Sequence, residues 1–232
     1  MDGDDSNHRL GAEVPRVVSY DFTRYFRLAR ELYQTGPSHD FFHVERVFHL
    51  ALRLGRAEQA DLKILGIAAL FHDLARNDEA ESEGKVCHAI AGAAYAEKIL
   101  TETGEPPELI RAVAECIATH RYRDQNPPKT LEGKCLFDAD KLDSLGAVGV
   151  ARAYLWLGER GGTVYVKKED WEKTDFRDNH PAVDSLQREW YIKLQHIRER
   201  LYTKTARRIA QKRSATMKRF LEILEQEVEG KL

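Results

Sequence analysis

Four residues in this sequence are of types that together bind divalent metal ions. His72 and Asp73 are adjacent at the end of the apolar run 65–71, where core packing alone requires neither an imidazole nor a carboxylate. His43 lies on the preceding helical segment, and Asp140 lies far downstream. Two imidazoles and two carboxylates form a mixed nitrogen and oxygen set. Such a set suits Mn²⁺, Fe²⁺, Co²⁺, Ni²⁺ or Zn²⁺ better than Ca²⁺, and Mg²⁺ is a further candidate for the bound ion.

The elements that must position these residues are helices. Apolar residues recur at helical spacing through most of the chain without convincing strand alternation, so the sequence predicts an all-α fold. We expect helices at about 19–35, 40–55, 58–75, 87–103, 106–120 and 139–158, then two amphipathic helices or one broken helix over 184–228. Ser38 or Asp40 is expected to cap the second helix. We expect irregular segments at 77–85, 121–133 and 158–181.

Helix geometry brings the candidate ligands together. His43 shares its helix face with apolar residues, so it is expected to point inward. His72 and Asp73 differ by about 100° around their helix, close enough for both to reach one ion. Asp140 is expected to open its own helix, where the positive end of the helix dipole favours an anion.

Composition narrows the class of protein. The 232 residues are 42% hydrophobic and carry a net charge of −2 with both signs interspersed, which argues against a polyanion-binding surface. Basic residues within 204–219 interleave with apolar ones, as on the exposed face of an amphipathic helix, so we expect no nucleic-acid partner. The chain has no apolar run of about 20 residues, a polar start, and three cysteines without CxxC spacing. We therefore expect a cytoplasmic protein with no membrane contact.

Three strings carry a family resemblance. They read SHDFFHVERV at 38–47, AALFHDL at 68–74 and EGKCLFDADKLD at 132–143, the last being the most specific. With their ligands in the order H…HD…D, the sequence resembles the HD-domain metal-dependent phosphohydrolase superfamily, especially a subgroup of small bacterial HD hydrolases. We expect a flexible N-terminus at 1–18 and one HD-type helical domain at 19–232. The resemblance places the metal-binding core at about 20–155, and we expect additional C-terminal helices at about 184–228.

The resemblance also implies an activity. The subgroup includes nucleotide pyrophosphohydrolases, which split nucleoside triphosphates into monophosphate and pyrophosphate. We therefore expect a metal-dependent phosphohydrolase whose substrate is a small phosphate compound, most readily a nucleotide. The alternatives are a phosphomonoesterase or cyclic-nucleotide phosphodiesterase on the same site, a di-iron HD-domain oxygenase, and a non-catalytic nucleotide- or metal-binding module.

Residue roles follow from this chemistry. Asp73 is expected to bind metal and orient the attacking water. Lys141 directly follows the ligand Asp140, and Arg46 lies about one helical turn after the ligand His43. We expect both side chains to contact phosphate and act in catalysis. Arg121 is a further substrate-binding candidate.

Two more histidines leave the number of ions open. The resemblance implies that His88 and His120 are ligands of a second ion bridged by Asp73, or that they contact the substrate phosphate. One ion held by His43, His72, Asp73 and Asp140 is the preferred interpretation.

Other residues have structural and functional interpretations. Tyr154 and Trp171 are candidates to stack on a base, although nothing in the sequence selects one, and Trp156 is expected to be a core or loop anchor. Glu79 belongs to an acidic segment that we interpret as solvated surface, with catalysis as the alternative. Asp143 could anchor Lys141 or act in catalysis. The long C-terminal helices offer a surface for a homodimer.

Overall fold

The computed structural model describes residues 20–33, 41–121, 126–174 and 183–232, and every regular element in these ranges is a helix. In chain order they are α1 Thr23–Leu32, α2 Phe41–Glu58, α3 Leu62–Phe71, α4 Arg76–Glu81, α5 His88–Glu102, α6 Pro107–Thr119, α7 Leu131–Asp143, α8 Gly146–Glu159, α9 Lys168–Trp171, α10 Leu186–Ile192, a 3₁₀ turn Leu194–His196, α11 Ile197–Arg200 and α12 Lys204–Val228. The all-α prediction is confirmed. The expected flexible segment 1–18 and the expected caps Ser38 and Asp40 lie outside the described residues.

The central helix of the bundle is α3. Its residues 65–71 are all buried, and it packs against α2, α6 and α7. A short helix that is apolar around its whole circumference is stable only where other helices cover it. Asp61 begins it, since its carboxylate accepts the backbone N–H groups of Lys63 and Ile64 at 2.8 and 3.1 Å. The end of α3 therefore delivers His72 into the interior.

Two predicted boundaries near the metal-binding motif are wrong. The helix predicted at 58–75 ends at Phe71, so the His-Asp pair follows the helix rather than lying on it. The loop predicted at 77–85 contains the short helix α4. Further along, α9 lies within the predicted irregular segment 158–181, and part of that segment falls outside the described residues.

The largest difference from the sequence prediction concerns α7 and α8. α7 begins at Leu131, within the expected loop at 121–133, and the expected helix at 139–158 is divided between α7 and α8, which meet near residue 145. Residues 122–125 of the expected loop lie outside the described residues. Thr130 caps α7 by accepting the backbone N–H of Gly133 at 3.0 Å. Gly146 begins α8 with a φ of 78°, in the left-handed region that favours glycine, and so separates the two helices.

A buried carboxylate joins α7 to the C-terminal helices. Asp138 accepts the backbone N–H groups of Tyr202 and Thr203 at 2.8 and 2.7 Å, directly before α12 begins. Burial raises the pKa of this carboxyl to about 6. α12 also packs along α8. In the described part of the chain, no helix is both long and apolar enough to cross a membrane.

Candidate metal centre

Six side chains from five parts of the bundle meet at one buried point. They are His43 of α2, His72 and Asp73 after α3, His88 at the start of α5, His120 after α6, and Asp140 of α7. The four histidines and Asp73 are at most 3% exposed. The structure thus brings together all the residues predicted as ligands of one ion or two.

One oxygen of Asp73 faces the first histidine pair, His43 and His72. Its Oδ2 lies 3.6 Å from Nε2 of His43 and 3.8 Å from Nε2 of His72. Oδ1 of Asp140 lies 3.5 Å from the same His43 atom. These are the four residues expected to hold a single ion.

The other oxygen of Asp73 faces the second histidine pair, His88 and His120. Its Oδ1 lies 3.4 Å from Nε2 of His88 and 3.7 Å from Nε2 of His120. Asp73 therefore belongs to two triads that could each hold a metal ion.

The outer nitrogen of each histidine ring has a hydrogen-bond acceptor. For two rings the acceptor is a backbone carbonyl: Nδ1 of His72 contacts Ala69 O at 2.8 Å, and Nδ1 of His120 contacts Ile117 O at 2.6 Å. For the other two it is a carboxylate: Nδ1 of His43 contacts Asp143 Oδ2 at 2.8 Å, and Nδ1 of His88 contacts Glu79 Oε2 at 2.5 Å. Carbonyls and carboxylates accept, so Nδ1 carries the proton and Nε2 keeps its lone pair. Metal-binding histidines are held in this way.

The inward-facing nitrogens have the spacing of metal ligands. Two atoms about 2.1 Å from one ion lie roughly 3.0–3.4 Å apart at octahedral or tetrahedral angles. The two Nε2 atoms are 3.3 Å apart in the first histidine pair and 3.2 Å apart in the second. Two lone pairs at this distance repel each other unless a cation lies between them. The residues present therefore fit a divalent transition metal.

Protonation states also suit metal binding. Burial lowers the pKa of His72 and of His88 to about 4, so both rings are neutral near pH 7. Burial alone would raise the pKa of Asp73, but electrostatic interactions with its neighbours, His72 foremost and then Arg76, hold it well below its usual range. Burial opposes ionisation of Asp140 in the same way, and Lys141, with Nζ 2.7 Å from Oδ2, holds the pKa of that carboxyl low.

The position of Asp140 corrects the sequence prediction. It lies in the last turn of α7, so the prediction that it opens a helix is wrong. The negative end of a helix dipole does not favour an anion. Its charge is offset instead by Lys141, which contacts it directly.

Asp143 connects the first histidine pair to two arginines. Besides the ring of His43, its buried carboxylate accepts Nε and Nη2 of Arg46 at 2.9 and 3.1 Å and Nη1 of Arg152 at 2.9 Å. Burial alone raises the pKa of Asp143, but these donors lower it to about 2. Arg46, expected at the phosphate, is thus bound behind His43. A cavity opens beside this site at Asp73, and Arg46 is not among the described residues that line it.

A cavity of about 390 Å³ opens at Asp73. Five cationic side chains line it. Four of them, Arg76, Arg121, Lys141 and Arg152, contact carboxylates at the metal centre, and the fifth is Lys193. Lys141 and Arg121 were expected to face substrate, whereas Arg76 and Arg152 were missed. The spacing of Arg76, three residues after Asp73, was a usable signal, since its Nε lies 3.9 Å from Asp73 Oδ2. Arg152 offered none, because only the packing of α8 brings it here.

Glu79 was also misjudged from the sequence. Its side chain is only 13% exposed, and it contacts Arg76 and Arg121 as well as the ring of His88. Burial alone raises its pKa, but these partners keep the carboxyl ionised. The helix α4, absent from the prediction, turns Glu79 away from solvent and toward the second histidine pair.

Comparison with known proteins gives the family. Residues 40–145 match the HD domain. YpgQ of Bacillus subtilis strain 168, an uncharacterised protein, is 31% identical over 199 residues, which cover 84% of this chain and 87% of YpgQ. The chain belongs to the HD-domain family.

Solved structures of other HD proteins share the fold of this HD protein. The crystal structure of YpgQ in complex with ADP has a TM-score of 0.67 at 27% identity, covering 90% of this chain and 98% of that one. A predicted HD superfamily hydrolase from an uncultured Thermotogales bacterium has a TM-score of 0.62 at 28% identity, covering 89% and 92%. The predicted HD-type bundle is confirmed.

Proposed function

We propose that this HD protein hydrolyses phosphoanhydride bonds of nucleotides with a bound divalent transition metal, converting nucleoside triphosphates to monophosphates and pyrophosphate. The observation that carries the proposal is the meeting of metal ligands and phosphate-binding cations in one cavity. Asp73 is part of both, since it faces the two histidine pairs and lines the cavity.

The cations lie on both sides of Asp73. Arg76 and Arg121 lie on the side of the second histidine pair, where both contact Glu79. Lys141 and Arg152 lie on the side of the first pair. A triphosphate that reaches across Asp73 meets cations along its whole length. We assign its α-phosphate to the side of Lys141 and Arg152, because from there the cavity continues along α8 past the apolar side chains of Ala153, Trp156 and Leu157.

Each protein group has a separate task in this scheme. A bound divalent ion supplies a more acidic water and offsets charge on the phosphoryl oxygens. Asp73, kept ionised by its neighbours, accepts a hydrogen bond from the attacking water and fixes its direction. Lys141 and Arg152 hold the α-phosphate, while Arg76 and Arg121 stabilise the charge that develops on the departing pyrophosphate.

The ligand geometry supports two ions. The second histidine pair has the same spacing and the same anchored Nδ1 atoms as the first. We therefore extend the proposal to two ions that share Asp73, in place of the single ion preferred from the sequence.

Nucleotide binding has independent support. YpgQ, which is similar to this chain over most of its length, has been crystallised in complex with ADP. The cations that line the cavity also favour a phosphate substrate over the oxygenase alternative, because O₂ chemistry requires no cluster of guanidinium and ammonium groups. A phosphomonoesterase, a cyclic-nucleotide phosphodiesterase and a non-catalytic binder remain outcomes of the test.

The test is a panel of ribo- and deoxyribonucleoside triphosphates with Mn²⁺, Mg²⁺, Co²⁺ and Ni²⁺, in which pyrophosphate and phosphate are scored separately. We expect pyrophosphate and nucleoside monophosphate in equal amounts. Release of phosphate alone would contradict attack at the α-phosphorus. Tight nucleotide binding without turnover in any metal would indicate a binding module, and two firmly bound irons without nucleotide turnover would indicate an oxygenase.

A further inference from the structure

The cavity changes character away from the metal centre. Beyond Lys141 and Arg152 most of its wall is apolar and comes from α8, α10, the 3₁₀ turn and the start of α11: Ala153, Trp156, Leu157, Leu186, Leu194 and Ile197. Three of these, Leu157, Leu186 and Ile197, are at most 4% exposed. The cavity therefore has a charged end and an apolar end, and a bound molecule that fills it must have both.

Trp156 offers a flat surface at this apolar end. The guanidinium carbon of Arg160 lies 4.3 Å from the centre of its ring, so a cation from the next helical turn covers part of the indole. Within the described residues, no other aromatic ring packs on Trp156. Its ring is half-buried and lines the cavity, where it is positioned to take a planar group.

The two other aromatic residues considered for base stacking are already engaged. Tyr154 packs its ring against Phe220 at 6.1 Å and donates its hydroxyl to the carbonyl oxygen of Val164 at 3.1 Å. Trp171 is buried and stacks on Tyr191 at 5.5 Å. Neither residue lines the cavity in the described part of the chain.

Polar groups accompany the apolar wall. Ser185, Glu189 and Lys193 line the same end, and Glu189 and Lys193 form a loose pair at 3.8 Å. These donors and acceptors suit a heteroaromatic ring or a sugar, whose edges form hydrogen bonds. An alkyl chain would form no hydrogen bonds with them.

Building on the proposed function, we propose that the apolar end is a nucleobase subsite, in which a base stacks on Trp156 while its sugar and edge contact Ser185, Glu189 and Lys193. Trp156 is then a specificity-determining residue. It distinguishes nucleotides from inorganic polyphosphates, which occupy only the charged end.

The test compares ADP with inorganic pyrophosphate by isothermal titration calorimetry in Mn²⁺. Wild-type protein should bind ADP more tightly than pyrophosphate, and Trp156→Ala should lower the ratio of the two affinities about tenfold, because stacking on an aromatic side chain contributes at this level. Trp156→Phe should restore most of the ratio. Tyr154→Phe, which removes only the hydroxyl bonded to Val164, is the matched control on the same helix and should keep the wild-type ratio.

Several results would overturn the subsite. The first is that wild-type protein binds ADP and pyrophosphate with equal affinity, and the second is that Trp156→Ala leaves the ratio of the two affinities unchanged. The third is that a dodecyl diphosphate binds as tightly as ADP and that its affinity depends equally on Trp156. The proposed function fails separately. A Trp156-dependent ADP affinity without nucleotide turnover in any metal would refute hydrolysis and leave the subsite standing, whereas pyrophosphate release with an unchanged ratio would refute the subsite alone.

Discussion

The carboxylate of Asp143 should stabilise both the metal centre and the fold, and Asp143→Asn tests both effects. The side chain keeps its size, but its charge beside Arg46 and Arg152 is lost. The folded carboxyl has a pKa of about 2 against an ordinary value of 3.8, a difference worth about 2 kcal/mol of unfolding free energy. Because the folded pKa is the lower one, this contribution is complete above pH of about 4 and disappears as the pH falls through 2.

The assay has two parts. Urea unfolding of metal-free protein at pH 7, followed by circular dichroism, should show Asp143→Asn to be about 2 kcal/mol less stable than wild type. The exposed control Asp170→Asn should change stability by less than about 0.5 kcal/mol. Titration with Mn²⁺ should show affinity reduced about 10- to 100-fold, because the ring of His43 loses its charged acceptor. Wild-type stability together with wild-type Mn²⁺ affinity would refute the role assigned to this carboxylate.

Three further predictions concern other parts of the site. Lys141→Ala should lower kcat for triphosphates about 10- to 100-fold while metal content, measured by mass spectrometry, stays the same; loss of metal would mean that the lysine is structural. Glu79→Ala should weaken one of two Mn²⁺ equivalents about 10- to 100-fold in calorimetry, and equal weakening of both would contradict its placement. Native protein should react quickly with a thiol reagent at Cys87 alone, because burial raises the pKa of Cys116 and of Cys135 to about 12; rapid labelling of all three would be inconsistent with the packing.

The ligand set could be found from sequence because its members lie in short, distinctive strings. An imidazole and a carboxylate that end an apolar run are conspicuous, and the DADKLD run locates a further ligand. The start of α7 was less visible. Pro127 and Pro128 indicated a loop that extended too far, and the polar residues after Thr130 concealed a helix whose burial depends on contacts with α2, α3 and α6.

The surroundings of the ligands depend on the tertiary structure. Arg46 was expected at the phosphate because it lies one turn after His43, but a buried carboxylate from α7 competes for its guanidinium. Arg152 and Trp156 reach the cavity only because α8 packs beside α10 and α12. Helical periodicity gives the face of a residue on its own helix, and it does not say which other helix that face meets.

The link between Asp138 and the start of α12 bears on where this protein can be cut or recombined. The family match ends at residue 145, yet a chain shortened there would leave the Asp138 carboxylate without the N–H groups of Tyr202 and Thr203. It would also lose the apolar end of the cavity. The smallest transplantable unit that retains the whole site therefore extends past the family match and into α12.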